Sequence, residues 1–175
     1  MSSILKVSEI QDPTNGNSAL TVDSSGRVLT PARPSFLVYV GSGDASDLDY
    51  SSVTAVNFDT KQHDIGNGYD LSADKYTVPV SGVYHLSWQV RMQNVTDAAY
   101  VYSPLYLNGS AHWGDNLYLY GTLEDPQGGT YQTTGTSITV ELSASDELKL
   151  NVQVNADSSS RVNIGNTFFS GFLVG

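Results

Sequence analysis

From Phe36 onward, apolar and polar residues alternate in short bursts separated by glycine-, serine- and aspartate-rich turns, and a period of two admits strands and little else. The clearest burst is residues 147–154. There Leu148, Leu150, Val152 and Val154 alternate with Glu147, Lys149, Asn151 and Gln153, as a half-buried antiparallel strand requires. Residues 36–40, 53–58, 75–80, 82–92, 103–107, 117–120, 137–142 and 167–174 are predicted strands by the same pattern. No segment carries an apolar stripe of helical period. Strands at this spacing call for a β-sandwich, with the polar stretches 41–52 and 155–166 as loops. At 175 residues the chain has room for one such core and an appendage.

The appendage is predicted at residues 1–34, where Asp12-Pro13-Thr14-Asn15-Gly16, Asp23-Ser24-Ser25-Gly26 and Pro31-Ala32-Arg33-Pro34 break up short apolar stretches. Ile4, Leu5, Val7 and Ile10 suit one short strand. Residues 19–22 and 28–30 suit a hairpin closed by the turn at 23–27. A hairpin this small is marginal alone, so an arm of this kind needs a neighbour on which to dock.

Within the head, aromatic, glycine and acidic positions fall in a fixed order: Phe58, Asp64, Tyr69, Tyr76, Gly82, Tyr84, Leu86 and Trp88. On strand geometry Tyr84, Leu86, Trp88 and Val90 share one face, and Val83, His85, Ser87 and Gln89 the other, so the first set is core material. The order and spacing resemble the signature of the globular-head domain of complement component 1q, a relative in fold of tumour necrosis factor. Tyr76 and Leu86 stand where that family usually has Phe, and Trp88 where it has Phe or Tyr. Phe168-Phe169-Ser170-Gly171-Phe172-Leu173-Val174 resembles its closing strand. Ile138-Thr139-Val140-Glu141-Leu142 with Asp146-Glu147-Leu148-Lys149-Leu150 resembles the two strands and acidic turn before it. The resemblance spans about residues 36–175. It implies an all-β jelly roll of about ten antiparallel strands associating as a threefold homotrimer, residues 35–175 forming the head and 1–34 the arm. Eleven tyrosines and five phenylalanines exceed what one small core holds comfortably, which favours buried subunit contacts.

The arm resembles the opening of virion proteins of tailed phages, through Ile4-Leu5-Lys6-Val7, Ile10-Gln11-Asp12 and Ala19-Leu20-Thr21-Val22-Asp23-Ser24-Ser25-Gly26-Arg27-Val28. That resemblance implies a decoration or short fibre on the virion surface, anchored to capsid or tail proteins through residues 1–34. The alternative is a receptor-binding adhesin or fibre-tip module.

Chemistry is sparse. The net charge of −10 is unsuited to nucleic acid, whose phosphates require a positive surface. No cysteine is present, which removes thiolate metal sites and nucleophiles. His63, His85 and His112 fall in no catalytic motif, so no enzyme is expected. The N-terminus lacks a continuous apolar segment and no run is long enough to span a bilayer; synthesis in the host cytoplasm, without signal peptide or membrane insertion, is expected. Asp44, Asp47 and Asp49 are weak candidates for Ca²⁺ in one loop, the only metal or cofactor expected. Tyr100, Tyr102, His112, Trp113, Tyr118 and Tyr120, close to Asn108, Asp115 and Asn116, are candidates for binding a host-surface glycan, because aromatic rings beside amides and carboxylates suit sugar faces and hydroxyls.

Overall fold

The structure is a computed structural model, described here for residues 6–42, 53–95, 100–113, 117–124, 129–154, 161–162 and 166–175. The arm contributes β1 (Glu9–Gln11), β2 (Ser18–Val22) and β3 (Val28–Leu29), and β4 (Ser35–Tyr39) opens the head. Short strands follow: β5 (Thr54–Ala55), β6 (Thr60–Ile65), β7 (Tyr69–Asp70) and β8 (Lys75–Thr77). Next come β9 (Gly82–Val95), β10 (Tyr100–Leu107), β11 (His112–Trp113), β12 (Leu117–Tyr118) and β13 (Tyr120–Glu124). The chain closes with β14 (Gly129–Leu142), β15 (Glu147–Val154), β16 (Arg161–Val162) and β17 (Phe168–Leu173).

In the head these strands build two six-stranded antiparallel sheets. The first runs β14-β9-β17-β4-β6, with β16 also on β9; the second runs β13-β10-β15-β8-β7, with β5 on β15. Strands β11 and β12 form a separate pair, and β1-β2-β3 make a three-stranded sheet of their own. Apart from the β7–β8 pair, neighbours in both head sheets are non-consecutive, which gives the crossed connectivity of a jelly roll.

Alternation fixes which side chains meet between the sheets. Tyr84, Leu86, Trp88 and Val90 of β9 are buried as predicted, Met92 joins them, and they face Val101 and Leu105 of β10 and Leu148, Leu150, Val152 and Val154 of β15 across one core. Burying each such side chain contributes about 1.5–3 kcal/mol. The Phe36 ring stacks on Tyr76 at 4.0 Å and meets Phe169 edge-on at 4.9 Å. Trp88 ties the sheets together by donating its indole N–H to the Ser103 carbonyl (3.0 Å) and hydroxyl (3.1 Å).

Gly121 sets how closely the layers approach along one side, and Gly135 how closely β14 lies on its own sheet neighbour β9. A Cβ on Gly121 of β13 would lie 2.5 Å from the Gly135 nitrogen of β14, and a Cβ on Gly135 would collide with the Trp88 carbonyl. Backbone therefore runs against backbone where the edges of the two sheets meet. Gly82 has a different reason: a Cβ there would sit 2.7 Å from the Leu173 side chain.

The acidic residues of the aligned pattern organise turns. Asp64 accepts from the Gly68 and Tyr69 N–H groups (3.0 and 3.1 Å) and pairs with Lys61 at 2.8 Å. Asp146 accepts from the Ser143 N–H and the Asn108 amide (2.8 and 2.9 Å), shaping the turn into β15. Asp59, which begins the entry to β6, accepts from the Gly41 and Ser42 N–H groups and from the Ser42 and Thr60 hydroxyls.

Several expected boundaries move. Residues 53–58 supply only the two-residue β5 and residues 75–80 only β8, while residues 117–120 divide between β12 and β13. Strands β6 and β7 arise where none was predicted, and β16 lies within an expected loop. In the arm the predicted hairpin forms as β2 and β3, joined by β1, with Ile4 and Leu5 outside the described residues.

Candidate functional site

Each head sheet turns one face to the core and one outward, and the two outward faces differ. On the first sheet, β17 places Phe168 opposite Tyr39 of β4 and Phe172 opposite Ser35, with Leu37 between them opposite Ser170. These residues and His63 line an open apolar groove of about 530 Å³. Phe172 is 48% exposed and its ring lies 5.3 Å from the His85 imidazole. The small side chains of Ser170 and Ser87 stand opposite one another in the middle of the face, leaving the aromatic residues raised at either end.

On the second sheet, Tyr100, Tyr102, Pro104 and Tyr106 of β10 alternate with the buried Val101, Ser103 and Leu105. The Tyr100 and Tyr102 rings stack at 4.6 Å and 11°, and Tyr120 of β13 packs at 5.9 Å from Tyr102. Desolvation pushes the Tyr102 phenol pKa up, and hydrogen bonding to Tyr100 with the nearby Tyr120 and Tyr106 phenols adds to it. The register sets Tyr102 between Gln153 of β15 and Thr122 of β13, and Tyr106 opposite Lys149. Tyr106 and Lys149 continue into a polar groove of about 490 Å³, also lined by Ser72, Asp74, Lys75 and Glu147. Within it Lys75 pairs with Glu147 at 2.6 Å. Burial pushes the Asp74 pKa up, opposed by the Phe58 N–H that it accepts.

Of the six aromatic and histidine candidates read from the sequence, Tyr100, Tyr102 and Tyr120 are brought together on this face. Trp113 is not available to a ligand: it is 7% exposed and donates its indole N–H to the Leu105 carbonyl at 2.8 Å, so it belongs to the core. The side chains of His112 and Tyr118, and Asp115 and Asn116 entirely, lie outside what the structure describes, as do Asp44, Asp47 and Asp49. Tyr106, Gln153 and Lys149 join the face and were missed. For Tyr106 the signal was present, since it continues the two-residue spacing from Tyr100; Gln153 and Lys149 arrive through strand register.

Among the described residues no cluster of three or more His, Asp or Glu is arranged to hold a metal ion. The imidazole of His85 meets the Thr139 hydroxyl at 3.1 Å on an exposed surface, and no described contact brings a carboxylate to orient it. No helix among the described residues is long and apolar enough to cross a membrane.

Two antiparallel sheets in jelly-roll order, each with one face outward, define the class of fold: an all-β jelly-roll sandwich. The profile of the C1q domain matches residues 40–174, and the chain belongs to that family. Its fold is also that of murine APRIL at pH 8.0, with a TM-score of 0.59 at 19% identity over 81% of this chain and 99% of that one. The globular domain of zebrafish complement 1qA protein gives a TM-score of 0.59 at 15% identity over 81% of this chain and 98% of that one. No curated protein sequence matches the chain. Domains of this family are typically non-enzymatic and commonly trimeric.

Proposed function

We propose that the chain is a non-enzymatic, homotrimeric display module of a tailed-phage virion, a head decoration or short fibre, in which residues 1–34 anchor on a capsid or tail protein and residues 35–175 project outward. The observation that carries the trimer is the outer face of the first sheet. Leu37, Tyr39, Phe168 and Phe172 leave an apolar groove on a protein whose other surface is strongly acidic, and a second copy of the same chain is the partner that the family's assembly supplies. The arm supports anchoring: Val7, Ile10, Val22, Val28 and Leu29 are all exposed on or beside its three-stranded sheet, which pairs with neither head sheet.

The second reading, a receptor-binding module, is favoured by the tyrosine face of the second sheet. The two readings are compatible, since a trimer closed through the first sheet leaves the second facing solvent.

Native mass spectrometry tests the trimer. The expected mass is three times the 18.8 kDa chain for the wild type and a single chain for Phe172→Asp, which sets a charge in the groove. A wild-type monomer at micromolar concentration overturns the proposal. Removing residues 1–34 should leave the trimer intact and abolish incorporation into particles; unchanged incorporation overturns the anchoring role.

A further inference from the structure

The outward positions of β10 and β15 are Tyr100, Tyr102, Pro104 and Tyr106 on one strand and Lys149, Asn151 and Gln153 on the other. Pro104 and Asn151 are buried, so the groups offered to solvent are phenol rings with their hydroxyls, the Gln153 amide and one ammonium. This combination excludes two classes of partner. A polyanion would meet a chain of net charge −10, and a peptide anchored by apolar side chains would require an apolar pocket that these positions do not supply. It suits a polyol. Tyrosine gives large, stiff, amphipathic contact area at small entropic cost, and the flanking amide and hydroxyl groups donate and accept in directions fixed by the sheet.

The arrangement is also extended. From the Tyr100–Tyr102 stack the same strand leads through Tyr106 into the polar groove of Asp74, Lys75, Glu147 and Lys149, where donors and acceptors lie side by side. We infer that the outer face of the second sheet is a carbohydrate-binding track, in which the Tyr100, Tyr102 and Tyr120 cluster holds one sugar unit and the Tyr106–Lys149 groove a further unit of the same chain. This deepens the receptor-binding reading and is independent of whether the first sheet makes a trimer.

The probe is an array of neutral and acidic oligosaccharides, followed by titration of the best-retained oligosaccharide into the full-length protein. Retention of at least one oligosaccharide is expected, with Tyr102→Ala and, separately, the edge-strand variant Tyr120→Ala each weakening it about tenfold, the loss carried by one aromatic anchor. Tyr131→Ala, a ring on β14 of the other sheet that covers the Arg91 guanidinium, should leave affinity unchanged. Lys149→Met should weaken only oligosaccharides long enough to reach the groove. Retention of none at millimolar concentration, equal retention by both tyrosine variants, or binding of a proline-rich peptide in place of any sugar overturns the inference. Native masses of the same samples report the trimer separately, so the two proposals fail distinguishably.

Discussion

The two sheets share one core, yet they are built differently and turn unlike surfaces outward. The first is organised by β9 and β14, each 14 residues long and paired from the Gly129–Val95 end to the Leu142–Gly82 end, and it carries the apolar groove. The second is assembled from shorter strands around β15, and its outer face is tyrosine, amide and charge. A continuous ladder gives a stiff surface, suited to a fixed symmetric contact. The pieced sheet leaves grooves between strand ends, suited to smaller ligands. In the functions proposed above, opposed faces divide the work on one scaffold, each alterable without the other so long as the shared core holds.

That condition is the sharpest place to break the comparison. Trp88→Ala removes the largest buried side chain and the indole link from β9 to Ser103 of β10. A loss of about 3–5 kcal/mol is expected, a large share of an ordinary domain's stability. Urea unfolding at fixed protein concentration measures it. Association and ligand binding should disappear together in this variant, whereas Phe172→Asp should remove association alone and Tyr102→Ala weaken ligand binding alone.

A smaller effect separates the sheets by pH. Partial burial pushes the Asp59 pKa up, but the N–H groups of Gly41 and Ser42 and the hydroxyls of Ser42 and Thr60 outweigh it and bring it to about 2, below the ordinary carboxylate value of 3.8. A carboxylate with a depressed folded pKa contributes stability above its unfolded pKa and loses it as pH falls through the folded value. The contribution should therefore be complete above about pH 4 and gone near pH 2, worth of the order of 1 kcal/mol after discounting for solvent screening. Asp59→Asn should flatten this window in acid-unfolding curves. In hydrogen exchange the loosening at low pH should appear first at β4 and β6, beside the groove, and later at β10 and β15.

The smallest effect runs the other way. The Tyr69 ring of β7 sits among Phe36, Phe58 and Phe169, with its hydroxyl buried and no hydrogen-bond partner among the described residues. Tyr69→Phe should raise stability by up to about 1 kcal/mol, read as a higher midpoint of thermal unfolding, and leave both outer faces unchanged. A lower midpoint would mean that the hydroxyl has a partner in solution.

Legibility in the sequence followed one variable: whether a strand's own residues alternate. Strand β15 does so strictly and matches its predicted limits of 147 and 154. Strand β6, Thr-Lys-Gln-His-Asp-Ile, is almost wholly polar because it lies at the edge of the first sheet, and nothing in its composition announces pairing. Only residues 137–142 of β14 were predicted. The earlier stretch, Gly-Thr-Tyr-Gln-Thr-Thr-Gly-Thr, has no apolar rhythm and is a strand because β9 lies alongside it. The tyrosine face was half legible for a similar reason. Spacing within β10 aligns its tyrosines, but register alone shows that Gln153 and Lys149 stand beside them and that the neighbouring Trp113 faces inward.

The contact of Gly121 with Gly135 has a further consequence, for storage and assembly. A sheet edge is a template on which a stray strand can add, the first step toward fibres. Where β13 lies against β14 the main chains are too close for any newcomer to enter between the two layers, so growth by strand addition is hindered along that side. Opposite it, β6, almost wholly polar, and β7, only two residues long, end their sheets and make poor templates. A chain at high local concentration is thereby guarded against knitting to its neighbours, on one side by the absence of a methyl group at Gly121 and on the other by edge strands that are polar or only two residues long.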